Sequence, residues 1–92
     1  MIYEISFAPK ALEDVEKIRK SGDKSSLKKL NSLIDELQEH PYTGTGKPKP
    51  LGNDRAGQWS RKISEKHRLV YQVNDDVVEV LILSASGHYG DK

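Results

Sequence analysis

The chain has 92 residues, the length of one small domain, so we expect a single domain over residues 1–92. It contains no cysteine, which excludes disulfides, a thiolate nucleophile and a cysteine-ligated zinc site. The first fifteen residues lack the apolar stretch of a signal peptide, and no apolar run approaches the length of a membrane span. We therefore expect a cytoplasmic protein with no membrane partner.

The charge of the chain is concentrated in one segment. The net charge is +1, but residues 47–71 carry seven Lys or Arg against two Asp or Glu, whereas the flanking segments are net negative. Such a basic segment is typical of a surface that binds an anionic partner, although a solvated charged face has the same composition.

The first half of the chain predicts a strand followed by a helical hairpin. Residues 3–7 alternate between apolar and polar, which is typical of a half-buried strand. Pro9 suits the first turn of a helix that ends at Ser21-Gly22. A second helix begins among the N-cap candidates of 23–26 and ends before Pro41. The apolar positions at helical spacing are Leu12, Val15 and Ile18 in the first helix and Leu27, Leu30, Leu33, Ile34 and Leu37 in the second.

The second half predicts a long loop and three strands. Residues 41–57 contain seven Gly or Pro and are expected to form a loop, and long loops in small domains are often functional. Strands are expected over 58–64, 67–73 and 77–83, the last being central because both of its faces are apolar except at Glu79. A tight hairpin turn joins the last two strands at 74–76. The order β-α-α-β-β-β indicates an α+β domain, with the helical hairpin on one face of a small, mostly antiparallel sheet.

The alternation of side chains along these strands assigns each to a face of the sheet. Lys62 and Arg68 fall on the open face, away from the helices. Arg61 has the parity of the apolar face, and a strand end or a bulge could resolve this conflict. The residues expected to meet the helices are Trp59, Ile63, Leu69, Tyr71 and Val73.

RNA cleavage requires few chemical groups, and the chain contains them. Cations stabilise the charge that develops on phosphorus, and a histidine can protonate the leaving 5′-oxygen near neutral pH. An aromatic ring can stack on an unpaired base. No metal or cofactor is required, and the scattered histidines lack metal-ligand spacing. The candidate residues are Lys47, Lys49, Lys62, Arg68, His88 and Tyr89.

Four segments carry a resemblance to a known family. They are G-K-P-K-P-L at 46–51, G-Q-W-S-R-K-I at 57–63, H-R-L-V-Y at 67–71 and H-Y at 88–89. In this order and spacing they resemble the YoeB/Txe branch of the RelE-like bacterial toxins, which belong to type II toxin–antitoxin systems. The resemblance extends over nearly the whole chain, including the helical hairpin.

This resemblance implies a RelE/ParE-like fold and a ribosome-dependent endoribonuclease. Such toxins cut mRNA in the A site of the 70S ribosome, where the 2′-OH attacks its own phosphate and leaves a 2′,3′-cyclic phosphate. It also implies a cognate antitoxin of the YefM/Phd type, operator DNA bound through the toxin–antitoxin complex, and possible homodimers.

The resemblance assigns roles to individual residues. Arg68 matches the arginine that stabilises the transition state, His88 the general acid, and Tyr89 the tyrosine that contacts the substrate base. Lys62 stands where the family usually has a second catalytic arginine, which keeps the charge but loses the planar guanidinium fork. The basic residues expected to contact RNA or the ribosome are Lys47, Arg55, Arg61 and Lys66.

Lys49 departs from the family, which usually has a glutamate there as general base. An ordinary ammonium cannot accept a proton at neutral pH. Neighbouring cations could deprotonate Lys49 so that it acts as the base, Lys49 could serve only as a cation, or the enzyme could be weakened. Two other hypotheses are a module that only binds antitoxin and represses its operon, and a ParE-like inhibitor of gyrase.

Overall fold

The computed structural model describes residues 2–52, 55 and 57–86, and within them the chain forms two helices and a five-stranded mixed sheet. The α+β architecture predicted from the sequence is confirmed. None of the helices in these ranges is both long enough and apolar enough to cross a membrane. The elements are β1 (Glu4–Phe7), α1 (Pro9–Lys20), α2 (Lys24–Leu37), β2 (Lys49–Pro50), β3 (Gln58–Lys62), β4 (Arg68–Asn74) and β5 (Glu79–Ser84).

The sheet has the strand order β1-β5-β4-β3-β2. β1 pairs with β5 in parallel, and the other neighbouring strands are antiparallel. β5 therefore lies inside the sheet, as its apolar sequence predicts. The pairing of β1 with β5 joins the two ends of the described chain.

The helices begin and end where local chemistry favours it. Pro9 occupies the first turn of α1, where a missing backbone N–H costs nothing. Asp23 caps α2, because its carboxylate accepts the backbone N–H of Ser26 at 3.0 Å and the Ser26 hydroxyl at 2.7 Å. Leu12, one of the apolar positions at helical spacing in α1, does not lie in the core. Leu12 is 57% exposed, and Ala11 takes its place in the core beside Ile18.

Two connections differ from the sequence prediction. Lys49 and Pro50, which were expected within a loop, form the edge strand β2, where a proline is tolerated because no ladder donor is needed on its outer side. Between β4 and β5, the predicted tight turn is a 3₁₀ turn over Asp75–Val77. Val77 therefore belongs to this turn rather than to the last strand, and it is 68% exposed.

The core lies between the helical hairpin and one face of the sheet. The prediction that Ile63, Leu69 and Tyr71 meet the helices is confirmed by their burial, and Trp59 and Val73 pack against the same cluster while half-buried. The opposite face of the sheet is not covered by either helix, and it carries the candidate site.

Candidate functional site

Lys62 and Arg68 lie directly opposite each other on the open face of the sheet. They are paired positions of β3 and β4, and their side chains therefore share one face. Like charges at such positions destabilise a sheet, so the packing of the fold does not account for this pair. Two cations held side by side can instead bind the oxygens of one phosphate group.

Lys49 joins the same face one row further along the sheet. Its position in β2 is paired with Ser60 of β3, which is itself opposite Val70 of β4. Ser60 and Val70 are buried and form the floor between the charged side chains. Lys49 is exposed. The two-residue strand β2 therefore carries Lys49 to the edge of the Lys62–Arg68 face.

A cleft of about 400 Å³ lies on this face of the sheet. Arg55, which the sequence predicts as a contact to RNA or the ribosome, is among the residues that line it. The floor consists of side chains from β3, β4 and β5, and α1 supplies a further cation. The lining residues are Lys10, Arg55, Gln58, Val70, Leu83, Ser84 and Ser86.

Lys62 has an acidic neighbour in the turn between β3 and β4. Its ammonium donates to the carboxylate of Glu65 at 2.7 Å. The side chain of Glu65 is 90% exposed and that of Lys62 is 37% exposed. Lys66 follows Glu65 in this turn and is also exposed, at the end of the strands that carry Lys62 and Arg68.

Arg61 does not belong to this surface, although the sequence predicts it as a contact to RNA or the ribosome. Its side chain is fully buried on the helix side of the sheet, so it has no surface with which to touch RNA. Its guanidinium donates to Glu36 at 2.9 Å and to the Tyr71 hydroxyl at 3.1 Å. Arg61 therefore lies on the same face of the sheet as Trp59, as the alternation of side chains predicts. No bulge in β3 moves it to the open face.

The buried guanidinium holds the loop that leads to Lys47 and Lys49. Arg61 donates to the carbonyl oxygens of His40, Thr43 and Thr45. The Tyr71 hydroxyl donates to the carbonyl of Pro41 at 2.8 Å. Three carbonyls of the loop thus bind one side chain. We call Arg61 and Tyr71, with their partners, the loop anchor, and it fixes the direction in which the loop continues towards β2.

Glu36 completes the loop anchor from α2. Its carboxylate accepts the hydroxyl and the backbone N–H of Thr45 and pairs with Arg61. Hydrogen bonds from Thr45, supported by Arg61, outweigh desolvation and lower the pKa of Glu36. Sequence reasoning missed Glu36 and Tyr71 as partners. The only signal was the arginine of apolar parity, which requires a buried acceptor.

Asp14 holds the end of β5, where the chain leaves the sheet. This fully buried carboxylate of α1 accepts the backbone N–H of Ala85 at 3.0 Å and pairs with Lys10 at 3.0 Å. Burial raises the pKa of Asp14, but hydrogen bonds from Ala85, Lys10 and Ser86 outweigh it, so the pKa is lower than usual. Sequence reasoning also missed this residue. The predicted catalytic His88 and Tyr89 lie outside the described residues.

The structure thus places several of the predicted cations on the open face of the sheet, and it buries Arg61 on the opposite face. Within the part of the chain that the structure describes, no group of three or more ligating side chains could hold a metal ion. The arrangement is a basic open sheet face, suited to binding a phosphodiester. The predicted cations on this face are Lys49, Arg55, Lys62 and Arg68, whereas Lys66 is exposed in the turn after β3 and Lys47 lines a separate cavity at the end of β3.

Relatives of known family share both the sequence and the fold of this chain. It is 41% identical over 85 residues to the toxin YoeB of Mycobacterium bovis, covering 92% of this chain and 96% of that protein. It is 48% identical over 67 residues to the toxin YoeB of Escherichia coli K12, covering 73% and 77%.

Solved structures of proteins named as YoeB toxins share the fold of this chain. A YoeB/ParE toxin from Agrobacterium tumefaciens superposes with a TM-score of 0.86 at 32% identity, covering 94% of this chain and 99% of that one. A YoeB dimer from Staphylococcus aureus gives 0.81 at 36% identity, and the toxin of a heterotetrameric YoeB–YefM complex from that organism gives 0.78 at 36%. Each covers 97% of this chain and 100% of the other.

The family model for the YoeB-like toxins matches residues 7–89, which span both helices and all the strands from β2 to β5. The match includes every position at which the open sheet face carries a candidate cation. The chain therefore belongs to the YoeB-like toxins of bacterial type II toxin–antitoxin systems.

Proposed function

We propose that this chain is a ribosome-dependent endoribonuclease that cuts mRNA in the ribosomal A site. The observation that carries the proposal is the opposed pair Lys62 and Arg68 on the open face of the sheet, with Lys49 one row away. These cations hold the scissile phosphate and stabilise the charge of the phosphorane. This places the toxin in the cytoplasm, where ribosomes are.

In the proposed cleavage step, the cations bind the phosphate, and the C-terminal residues His88 and Tyr89 supply the proton and the stacking ring. The 2′-oxygen of the RNA attacks its own phosphorus and loses its proton to water, while the bond to the 5′-oxygen breaks. His88 gives the 5′-oxygen its proton, and the products are a 2′,3′-cyclic phosphate and a 5′-hydroxyl. Tyr89 stacks on the base beside the cut. The step needs no metal.

Lys49 acts as a cation in this proposal rather than as the base. Its side chain is exposed on the same face as Lys62 and Arg68, where an ammonium can donate to a phosphate oxygen. A lysine in place of glutamate makes the site two charge units more positive, which favours binding of phosphate, and it leaves the 2′-OH without a carboxylate base. We expect slower cleavage than in a relative that carries the glutamate.

The departure at Lys49 also supports a second candidate function, in which the chain only binds its antitoxin and co-represses the operon. The YoeB–YefM complex from S. aureus supports a YefM-like partner for this chain, through which it would reach operator DNA. The YoeB dimer supports a homodimer of the free toxin. The family match is to the YoeB-like toxins and lends no support to an action on gyrase.

The test is cleavage of mRNA on programmed ribosomes, mapped by primer extension. The parent chain is compared with Lys49→Glu, Arg68→Ala and His88→Ala, and Lys24→Ala on the exposed start of α2 serves as the charge-matched control. Cleavage by the parent and by Lys24→Ala that disappears in Arg68→Ala and His88→Ala supports the proposal. If Lys49→Glu cuts the mRNA and the parent chain does not, the parent chain is not a nuclease, and antitoxin binding is its function.

A further inference from the structure

A second cavity, of about 270 Å³, lies at the end of β3 and is surrounded by three lysines. Lys29 reaches it from α2, Lys47 from the anchored loop and Lys62 from the last position of β3. Gly46 and Ile63 complete the lining, so no acidic side chain is among the described residues that form its wall. The charged side chains of its described lining are all lysines, and the cavity is open to solvent.

The backbone holds Lys47 at this cavity. Gly46 and Lys47 both have left-handed conformations, with φ of 85° and 54°. The Lys62 N–H donates to the Gly46 carbonyl at 2.7 Å, which fastens the loop to the end of β3. A left-handed conformation is uncommon for a residue with a side chain, and it persists where the surroundings impose it. The lysines of the loop and the strand are thus kept adjacent.

Glu65 shows that an oxyanion can reach the ammonium of Lys62. Its carboxylate lies 2.7 Å from Lys62 Nζ, although the Glu65 side chain is 90% exposed. Such an exposed pair contributes little to stability, so an incoming anion can displace the carboxylate at small cost. In the free protein Glu65 therefore occupies a position that a phosphate oxygen would take.

We propose that this cavity is a second phosphate subsite, which holds a backbone phosphate of the RNA beside the scissile one. Lys29 is its new member, Lys62 is shared with the cleavage site through its position opposite Arg68, and Glu65 is the counter-ion that RNA displaces. This inference rests on the proposed function, because it assumes that single-stranded RNA crosses the open sheet face.

The first experiment measures the binding of a single-stranded 2′-O-methyl RNA, which cannot be cleaved, as a function of salt. Lys29→Gln is compared with Lys28→Gln, because Lys28 is the neighbouring exposed lysine of α2 and does not line the cavity. Loss of one phosphate contact reduces the slope of log K against log salt by about 0.7. We expect this change, with several-fold weaker binding, in Lys29→Gln only.

The second experiment removes the counter-ion. Glu65→Gln is compared with Glu13→Gln, an exposed acid of α1, so both variants gain the same net charge. We expect several-fold tighter RNA binding at low salt in Glu65→Gln and little change in Glu13→Gln. Equal gains in both variants would show that only net charge matters, which overturns the role of Glu65.

Two outcomes would overturn the subsite. The first is an equal salt slope and affinity in Lys29→Gln and Lys28→Gln. The second is a shift of the Lys29 and Lys47 amide resonances with inorganic phosphate while RNA affinity is unchanged in Lys29→Gln, which would make the cavity a site for free anions. Failure of the proposed function is separate, since a parent chain that binds RNA through Lys29 but does not cut mRNA on ribosomes refutes only the nuclease.

Discussion

Lys62 and Arg68 are a pair of like charges that opposes the stability of the sheet, and the proposed function assigns it to stabilising the transition state. Their opposed positions in β3 and β4 bring two positive charges together on the face of the sheet opposite the core that α1 and α2 cover. This arrangement does not stabilise a sheet, whereas it stabilises the extra negative charge of a phosphorane. The two cations are not equivalent, since only Arg68 offers a planar fork of donors.

We predict that Arg68→Ala lowers the rate of mRNA cleavage on ribosomes by about 10²–10³-fold, the usual cost of removing one donor to a transition state. Arg68→Lys should retain an intermediate rate, because the charge remains but the fork is lost. Single-turnover cleavage measures both. A rate unchanged in Arg68→Ala, in protein shown to be folded by its thermal unfolding, would remove Arg68 from the mechanism.

Asp14 is a residue whose charge the fold needs. Its pKa is lower in the folded chain than in the unfolded one, because the hydrogen bonds that it accepts outweigh its burial. A carboxylate with a lowered pKa stabilises the native state above its unfolded pKa of about 3.9, and this contribution is lost as pH falls through the folded value. The ionised form keeps Ala85 and Ser86 attached to α1.

We predict that Asp14→Asn lowers the free energy of unfolding at pH 7 by about 1–3 kcal/mol, the cost of weakening a buried charged hydrogen-bond acceptor. The difference from the parent should stay constant from pH 7 to about pH 5 and shrink as the pH is lowered further, towards 3. Urea unfolding across this range measures it, with Asp35→Asn on the exposed side of α2 as control. A difference that stays constant over the whole range would contradict the role of the charge.

Among the elements, the loop before β2 depends on contacts made from β3, β4 and α2. Arg61 of β3, Tyr71 of β4 and Glu36 of α2 bind its carbonyl and hydroxyl groups, while the loop itself has little apolar surface to bury. The direction in which Lys47 and Lys49 leave this anchor is thus set from the buried side of the sheet.

We predict that Tyr71→Phe destabilises the protein by about 1–3 kcal/mol, because the Pro41 carbonyl loses its donor and the Arg61 Nε loses its acceptor in a buried place. Amide hydrogen exchange should quicken at Thr45 and Lys62, whose N–H groups tie the loop down. Tyr3→Phe, which removes an exposed hydroxyl bonded to Asp75, is the control. Equal effects of the two variants would refute the anchor.

At the scale of the whole molecule, the hydrophobic core and the candidate site lie on opposite faces of the sheet. The helical hairpin covers one face of the sheet, and the basic segment 47–71 supplies the cations of the other face and its rim. The acidic surplus lies in the remaining segments. This distribution gives a protein of nearly zero net charge a locally positive surface, which the proposed function assigns to RNA.

We predict that binding of uncleavable single-stranded RNA weakens about 50-fold when salt rises from 50 to 200 mM. Four phosphate contacts, each contributing about 0.7 to the slope of log K against log salt, give this value. Fluorescence anisotropy measures the slope, and Lys24→Gln should leave it unchanged. Affinity that varies less than about threefold over this range would show that the basic segment does not bind the RNA backbone.

The sequence by itself determined which strand residues share a face, because side chains alternate with a period of two and burial follows that period. It placed Lys62 and Arg68 on the open face, and it carried the motifs of the family. For Arg61 it gave the parity of the apolar face but left the choice of face open and predicted a contact to RNA, which the burial of this side chain contradicts. The apolar spacing of α1 includes Leu12, but the helix turns Ala11 rather than Leu12 into the core. The roles of His88 and Tyr89 remain predictions.

The tertiary structure alone decided which residues meet across the fold. Glu36 with Arg61 and Asp14 with Ala85 are contacts between residues far apart in the chain, and Lys29 and Lys62 line one cavity. No local pattern in the sequence encodes these juxtapositions. The pairing of Lys49 with Ser60 likewise depends on the register of β2 against β3. Periodicity assigns a residue to a face of its own element, but only the packing of elements selects its partner, because that choice minimises the free energy of all contacts together.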